Sequence, residues 1–115
     1  MGLDQFAYIR DKEGTQIDLQ YWRKHNALQG WMENLYRYKG KKDDFNNQSI
    51  QITSDDLDRL EEDVCLRQLP VTTGFFYGTA DTSQDDYNFD KDLEFIAKAR
   101  EKDKEGYRVY YTSSY

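Results

Sequence analysis

Leu28, Trp31, Met32 and Leu35 recur at the i, i+3, i+4, i+7 spacing of one face of an α-helix, and tracing the stripe backwards adds Tyr21 and His25. A helix that is apolar on one side must lay that side against another layer, which commits the chain to a layered core. The spacing predicts a first helix from Trp22 to about Tyr38, closed by Gly40. The same segment holds the only histidine and both tryptophans, beside the Arg23-Lys24 pair.

The remaining elements alternate in period. Gly2 to Arg10 reads as a strand with apolar groups on both phases, which suggests cover on both faces, and Asp11-Lys12-Glu13-Gly14 reads as a turn. A short extended piece is expected at Ile17 to Leu19, and another strand at Ser49 to Thr53. Thr53 or Ser54 then caps a second helix with Asp55 and Asp56 in its first turn and Leu57, Leu60 and Val64 along its apolar edge. Phe89, Leu93, Ile96 and Ala97 mark a third helix beginning near Asp86 or Asp90, Gly106 stops it, and Tyr107 to Tyr111 forms a last strand. The expected fold is α+β: a single domain over residues 1–115, with an about three-stranded sheet, its N- and C-terminal strands paired, and about three helices packed largely on one face.

A chain of 115 residues suffices for one core without metal or disulfide staples. Ten Tyr, six Phe and two Trp supply its bulk. The lone Cys65 cannot close an internal disulfide, and no leader-like or bilayer-spanning run is visible, so a cytoplasmic protein with no membrane association is expected. The net charge of −6 divides unevenly: residues 1–42 carry eight Lys/Arg against five Asp/Glu, and the remainder eight against seventeen. Such a chain lacks the broad basic face that duplex DNA requires.

One His and one Cys exclude a His/Cys zinc site. Asp81, Ser83, Asp85 and Asp92 superficially match calcium-loop positions, but Asp86 stands where the sixth-position glycine is needed and Asp92 is shorter than the usual Glu. No metal and no cofactor are expected. His25, oriented by Asp4 or Asp18, would serve a small hydrolase or nucleotide-modifying enzyme, although a histidine on an apolar helix face is more often a hydrogen-bonded core residue. On a helix, Trp22, Asn26, Gln29 and Glu33 would share one face. There Trp22, Arg23, Lys24 and Asn26 would border a site for a planar anionic ligand, with Phe75, Phe76 and Tyr77 as a stacking wall.

Gly2-Leu3-Asp4, Tyr21-Trp22-Arg23-Lys24 with Asn26, Leu69-Pro70 before Gly74-Phe75-Phe76-Tyr77-Gly78, and Tyr110-Tyr111-x-Ser113-Ser114-Tyr115 together resemble a family of small uncharacterised proteins of phages and bacteria. The resemblance implies a small cytoplasmic, phage-encoded protein and brings no established activity. Some members carry the label phosphoglycerate kinase. That activity needs two large anionic substrates held across a closing cleft between domains, which one domain of this size without a phosphate loop cannot provide.

The expected function is therefore non-enzymatic: an accessory protein that binds a host protein or other macromolecule, or a small nucleotide-like anion. A self-associating structural protein with exposed tyrosines is the other alternative to the enzyme.

Overall fold

The computed structural model describes residues 3–23, 25–69 and 86–114, the side chains of 86–88 excepted. Seven elements follow in order: β1 (Asp4–Arg10), β2 (Gln16–Arg23), α1 (Asn26–Tyr38), β3 (Ser49–Ile52), α2 (Ser54–Cys65), α3 (Asp86–Lys104) and β4 (Arg108–Ser114). The strands form one antiparallel sheet in the order β2-β1-β4-β3.

The α+β class and the pairing of first and last strands match expectation: β1 and β4 lie side by side in the sheet's centre, Asp4 opposite Ser114 and Arg10 opposite Arg108. The strand count does not. Residues 16–23 form a full strand where only a short piece at Ile17 to Leu19 was expected, so the first helix begins at Asn26 and not at Trp22. Tyr21 and Trp22 satisfy a helical stripe and a strand equally well, and pairing with Phe6 and Gln5 of β1 decides between them. The register between β1 and β2 slips next to Ala7 and Tyr8, so Ala7 faces Gln20 while Tyr8 faces Asp18 and Leu19 bulges out of the ladder.

One face of the sheet carries Ala7 and Ile9 of β1, Trp22 of β2, Ile50 and Ile52 of β3, and Val109 and Tyr111 of β4. All belong to a single core with Leu28 and Met32 of α1, Leu57 and Leu60 of α2, and Phe95, Ile96 and Ala99 of α3. Among the described residues, the helices thus cover one face alone. Both phases of β1 are apolar for separate reasons: Ala7 and Ile9 enter the core, while Phe6 and Tyr8 pack with aromatics of neighbouring strands on the other face.

Local signals set the helix ends. Thr53 caps α2, its hydroxyl accepting the Asp56 N–H at 3.2 Å while the Asp56 carboxylate accepts the Thr53 N–H at 3.0 Å. Lys39, just past α1, adds an ion pair to Asp56 at 2.9 Å and so ties the end of one helix to the start of the next. Burial alone would raise the Asp56 carboxyl, but the Thr53 N–H and Lys39 outweigh it and hold the group below its ordinary value. Thr53→Ala is expected to cost about 1 kcal/mol in urea unfolding. Gly40 and Gly106 follow α1 and α3 at φ of 89° and 93°, the left-handed geometry that suits glycine. Among the described residues no helix is long and apolar enough to cross a membrane.

Candidate functional site

Two regions collect polar chemistry. The first is interior, at the end of the sheet where β1 begins. His25, the residue before α1, is 0% exposed, and its Nε2 lies 2.7 Å from Oδ2 of Asp92 on α3. Trp22, also 0% exposed, donates its indole N–H to the other oxygen of the same carboxylate at 3.0 Å. Gln5 reaches in from β1: its side-chain oxygen accepts the His25 backbone N–H at 2.9 Å, and its amide donates to the His25 carbonyl at 2.9 Å and to the Tyr111 hydroxyl at 3.0 Å. That hydroxyl in turn donates to Gln29 at 2.6 Å. Three sheet strands and two helices are joined by this buried network.

The network corrects several expectations. Asp4 does not orient His25: it sits in a strand position facing the opposite side of the sheet, where it accepts the Tyr21 hydroxyl at 2.7 Å. The partner of His25 is Asp92, 67 residues away in sequence. Both Asp92 oxygens are thereby engaged, which removes it from the metal set proposed with Asp81, Ser83 and Asp85; those three lie outside the described residues. No group of three or more His, Cys, Asp or Glu suited to a metal occurs among the described residues. Burial pushes the Asp92 carboxyl up, and the hydrogen bonds from His25 and Trp22 only partly oppose that. An imidazole enclosed in this way is a positioning group for α1 and α3, because a general base must touch its substrate's proton.

Trp22 and Arg23 also separate. As neighbours in a strand they point to opposite faces, Trp22 into the core and Arg23 into solvent. Asn26 is buried at the start of α1. Lys24 and the Phe75, Phe76 and Tyr77 run lie outside the described residues. A common helical face for Trp22 and Asn26 does not form.

The second region is the open face of the sheet. Tyr8 and Tyr110, directly opposite on β1 and β4, stack at 5.3 Å between centroids and 18° between planes. Phe6 and Tyr21, opposite on β1 and β2, pack at 5.2 Å. Tyr8 is only 4% exposed and donates its hydroxyl to Ser49 at 2.8 Å, so it is a fixed support for Tyr110, whereas Tyr21 is 43% exposed. The Asp4 carboxylate, by accepting the Tyr21 hydroxyl, raises the pKa of that phenol and keeps it protonated.

Next to the Tyr8–Tyr110 pair, Arg10 stands directly opposite Arg108. Like charges facing each other across an antiparallel pair repel. Neither forms an ion pair among the described residues; Arg10 donates one N–H to the Gly14 carbonyl at 3.1 Å and lies over the Tyr8 ring. Both line a surface cleft of about 650 Å³ together with Lys12 and Tyr110. The carboxylates on its rim are committed elsewhere: Asp11 accepts the backbone N–H groups of Glu13 and Thr15, and Glu105 pairs with Lys102 at 3.4 Å. Arg10, Lys12 and Arg108 had drawn no attention in the sequence. Their signal is the strand register, which sequence alone does not supply. No family model matches the chain, and searches of curated proteins and of solved structures return no match.

Proposed function

We propose that this chain is a non-enzymatic binding domain that holds a planar, anionic ligand of nucleotide type on the open face of its sheet. The observation that supports it is the Arg10–Arg108 couple, without an ion pair among the described residues, beside the stacked Tyr8 and Tyr110 rings in one cleft. An anion placed between the two guanidiniums relieves their mutual repulsion and accepts charge-assisted hydrogen bonds, with Lys12 adding a third cation. The exposed side of Tyr110 offers a π-surface to a base, at the mouth of the same cleft. A cytoplasmic setting belongs to this reading, since such ligands are cytoplasmic and Cys65 is an exposed free thiol.

Isothermal titration with AMP, adenosine and inorganic phosphate tests it. AMP is expected to bind more tightly than either half, and to raise the melting temperature as any ligand of the native state must. Arg108→Glu is expected to weaken AMP at least about ten-fold, while leaving the fold intact, because Glu would pair with Arg10. Absence of AMP binding to the wild-type protein, or equal binding to Arg108→Glu, defeats the reading.

A further inference from the structure

We infer that the ligand is a unit of single-stranded nucleic acid laid across the sheet, with successive bases on Tyr110 and on the Phe6–Tyr21 pair. This rests on the nucleotide-type reading of the cleft and extends it along the strands.

The ring surface does not stop at the cleft. Phe6 is four residues from Arg10 along β1, roughly 13 Å at strand rise, and its partner ring Tyr21 is the most exposed aromatic of the face. Arg23, opposite Asp4 at the far end, makes no ion pair among the described residues and lies about 20 Å from the Arg10 row. Cations therefore stand at both ends of an aromatic track. Between them β3 and β4 carry neutral polar groups: Gln51, Ser49 bonded to the Tyr8 hydroxyl, and Thr112 bonded to the Gln48 carbonyl. A four-stranded antiparallel sheet with aromatics on its open face and helices behind is an arrangement that stacks about two to three unpaired bases.

Charge complementarity favours this occupant over a neutral or basic protein surface, and the row of rings favours bases over the carboxylates of an acidic one. The face carries Arg10, Arg23 and Arg108 against Asp4 and Asp18, and Asp4 is bonded to Tyr21. The chain's negative charge is concentrated behind it: α2 has six carboxylates and only Arg59 as a cation. Duplex is disfavoured because its bases are already stacked and its backbone demands a wider basic surface than a chain of net charge −6 offers. Affinity that comes from stacking plus a few phosphate contacts should be modest and weakened by salt.

Fluorescence anisotropy with labelled hexamers of U and of dT, alongside AMP titration, tests the extension. At least one hexamer is expected to bind about ten-fold or more tightly than AMP, and Tyr21→Ala and Phe6→Ala each to weaken it by about ten-fold with AMP unchanged. Arg23→Gln, an exposed change that sets no carboxylate opposite Asp4 and keeps the fold, should weaken the hexamer and spare AMP. Preference for U over dT would assign RNA, and the reverse DNA. If AMP binds but neither hexamer binds more tightly, or if the Phe6, Tyr21 and Arg23 variants bind the hexamer normally, the strand is wrong and the single-nucleotide reading stands. If AMP and both hexamers fail to bind, both readings fall. A dimer in sedimentation that Tyr110→Ala dissolves, with no oligonucleotide binding, would assign the face to a second copy of this chain and overturn the inference.

Discussion

Asp92→Ala is expected to destabilise the protein by about 3–5 kcal/mol, the cost of stripping one side from a buried hydrogen-bonded pair. At this chain length that corresponds to a fall in melting temperature on the order of 15 °C by calorimetry or circular dichroism. The variant leaves the Trp22 indole N–H and the His25 imidazole without their common acceptor inside the core. A loss below about 1 kcal/mol, in the range of an ordinary surface substitution, would mean that the carboxylate does not hold the two together. Asp92→Asn keeps the shape and also reports on pH. Because the native carboxyl is raised above its ordinary value of 3.8, the folded protein retains a proton that the unfolded chain has released. The titrating part of Asp92's contribution is therefore fully present below 3.8 and lost as pH rises through the raised value. The stability difference between wild type and Asp92→Asn should shrink over that interval. Asp56, whose carboxyl is lowered, acts in the other direction: its contribution is present above 3.8 and lost as pH falls. A pH profile of Asp56→Asn should separate the two.

The second large effect divides adjacent residues. Trp22→Ala removes a fully buried indole that packs edge-on against Phe95 at 5.2 Å and beside Tyr111 at 6.1 Å, with an expected loss of about 3–5 kcal/mol. Arg23→Ala, on the solvent side of the same strand, should stay within about 0.5 kcal/mol. Trp22→Phe should fall between, since it keeps ring packing and loses only the N–H to Asp92, a step of about 1–3 kcal/mol. Urea unfolding of the three variants measures the series. Comparable losses for Trp22→Ala and Arg23→Ala would contradict the face assignment of β2.

Elements with a local signature were legible in the sequence. The Thr53 cap, the left-handed glycines after α1 and α3, and the alternation of Ile50 and Ile52 depend on neighbours a few residues away, and they appear where expected. β2 was underread because its aromatic end meets two periodicities at once, and only the ladder with β1 settles which applies. The His25–Asp92 bond was out of reach, since it depends on which face of α3 meets β2. A trace of it was present: Asp92 falls in step with Phe89, Ile96 and Ala99 along α3, and a carboxylate in phase with a core stripe calls for a buried donor. Gln5 carries the same sign, alternating in phase with Ala7 and Ile9. The open-face arginines left none, because their proximity is created by register between strands almost a hundred residues apart.

The place of β4 in the sheet has a kinetic meaning. β1 and β3 have no ladder with each other; each pairs with β4. The latest in sequence of the described strands is therefore the one that joins the two halves of the sheet, and β1 must wait for about a hundred residues of chain before its inner edge is satisfied. Contacts so distant in sequence impose a loop-closure penalty early and slow the search for the native state. Until residues 108–114 arrive, α1 and the β1–β2 hairpin are held on the nascent chain with an exposed backbone edge, and folding of this domain is an event that follows synthesis of its final strand rather than accompanying it.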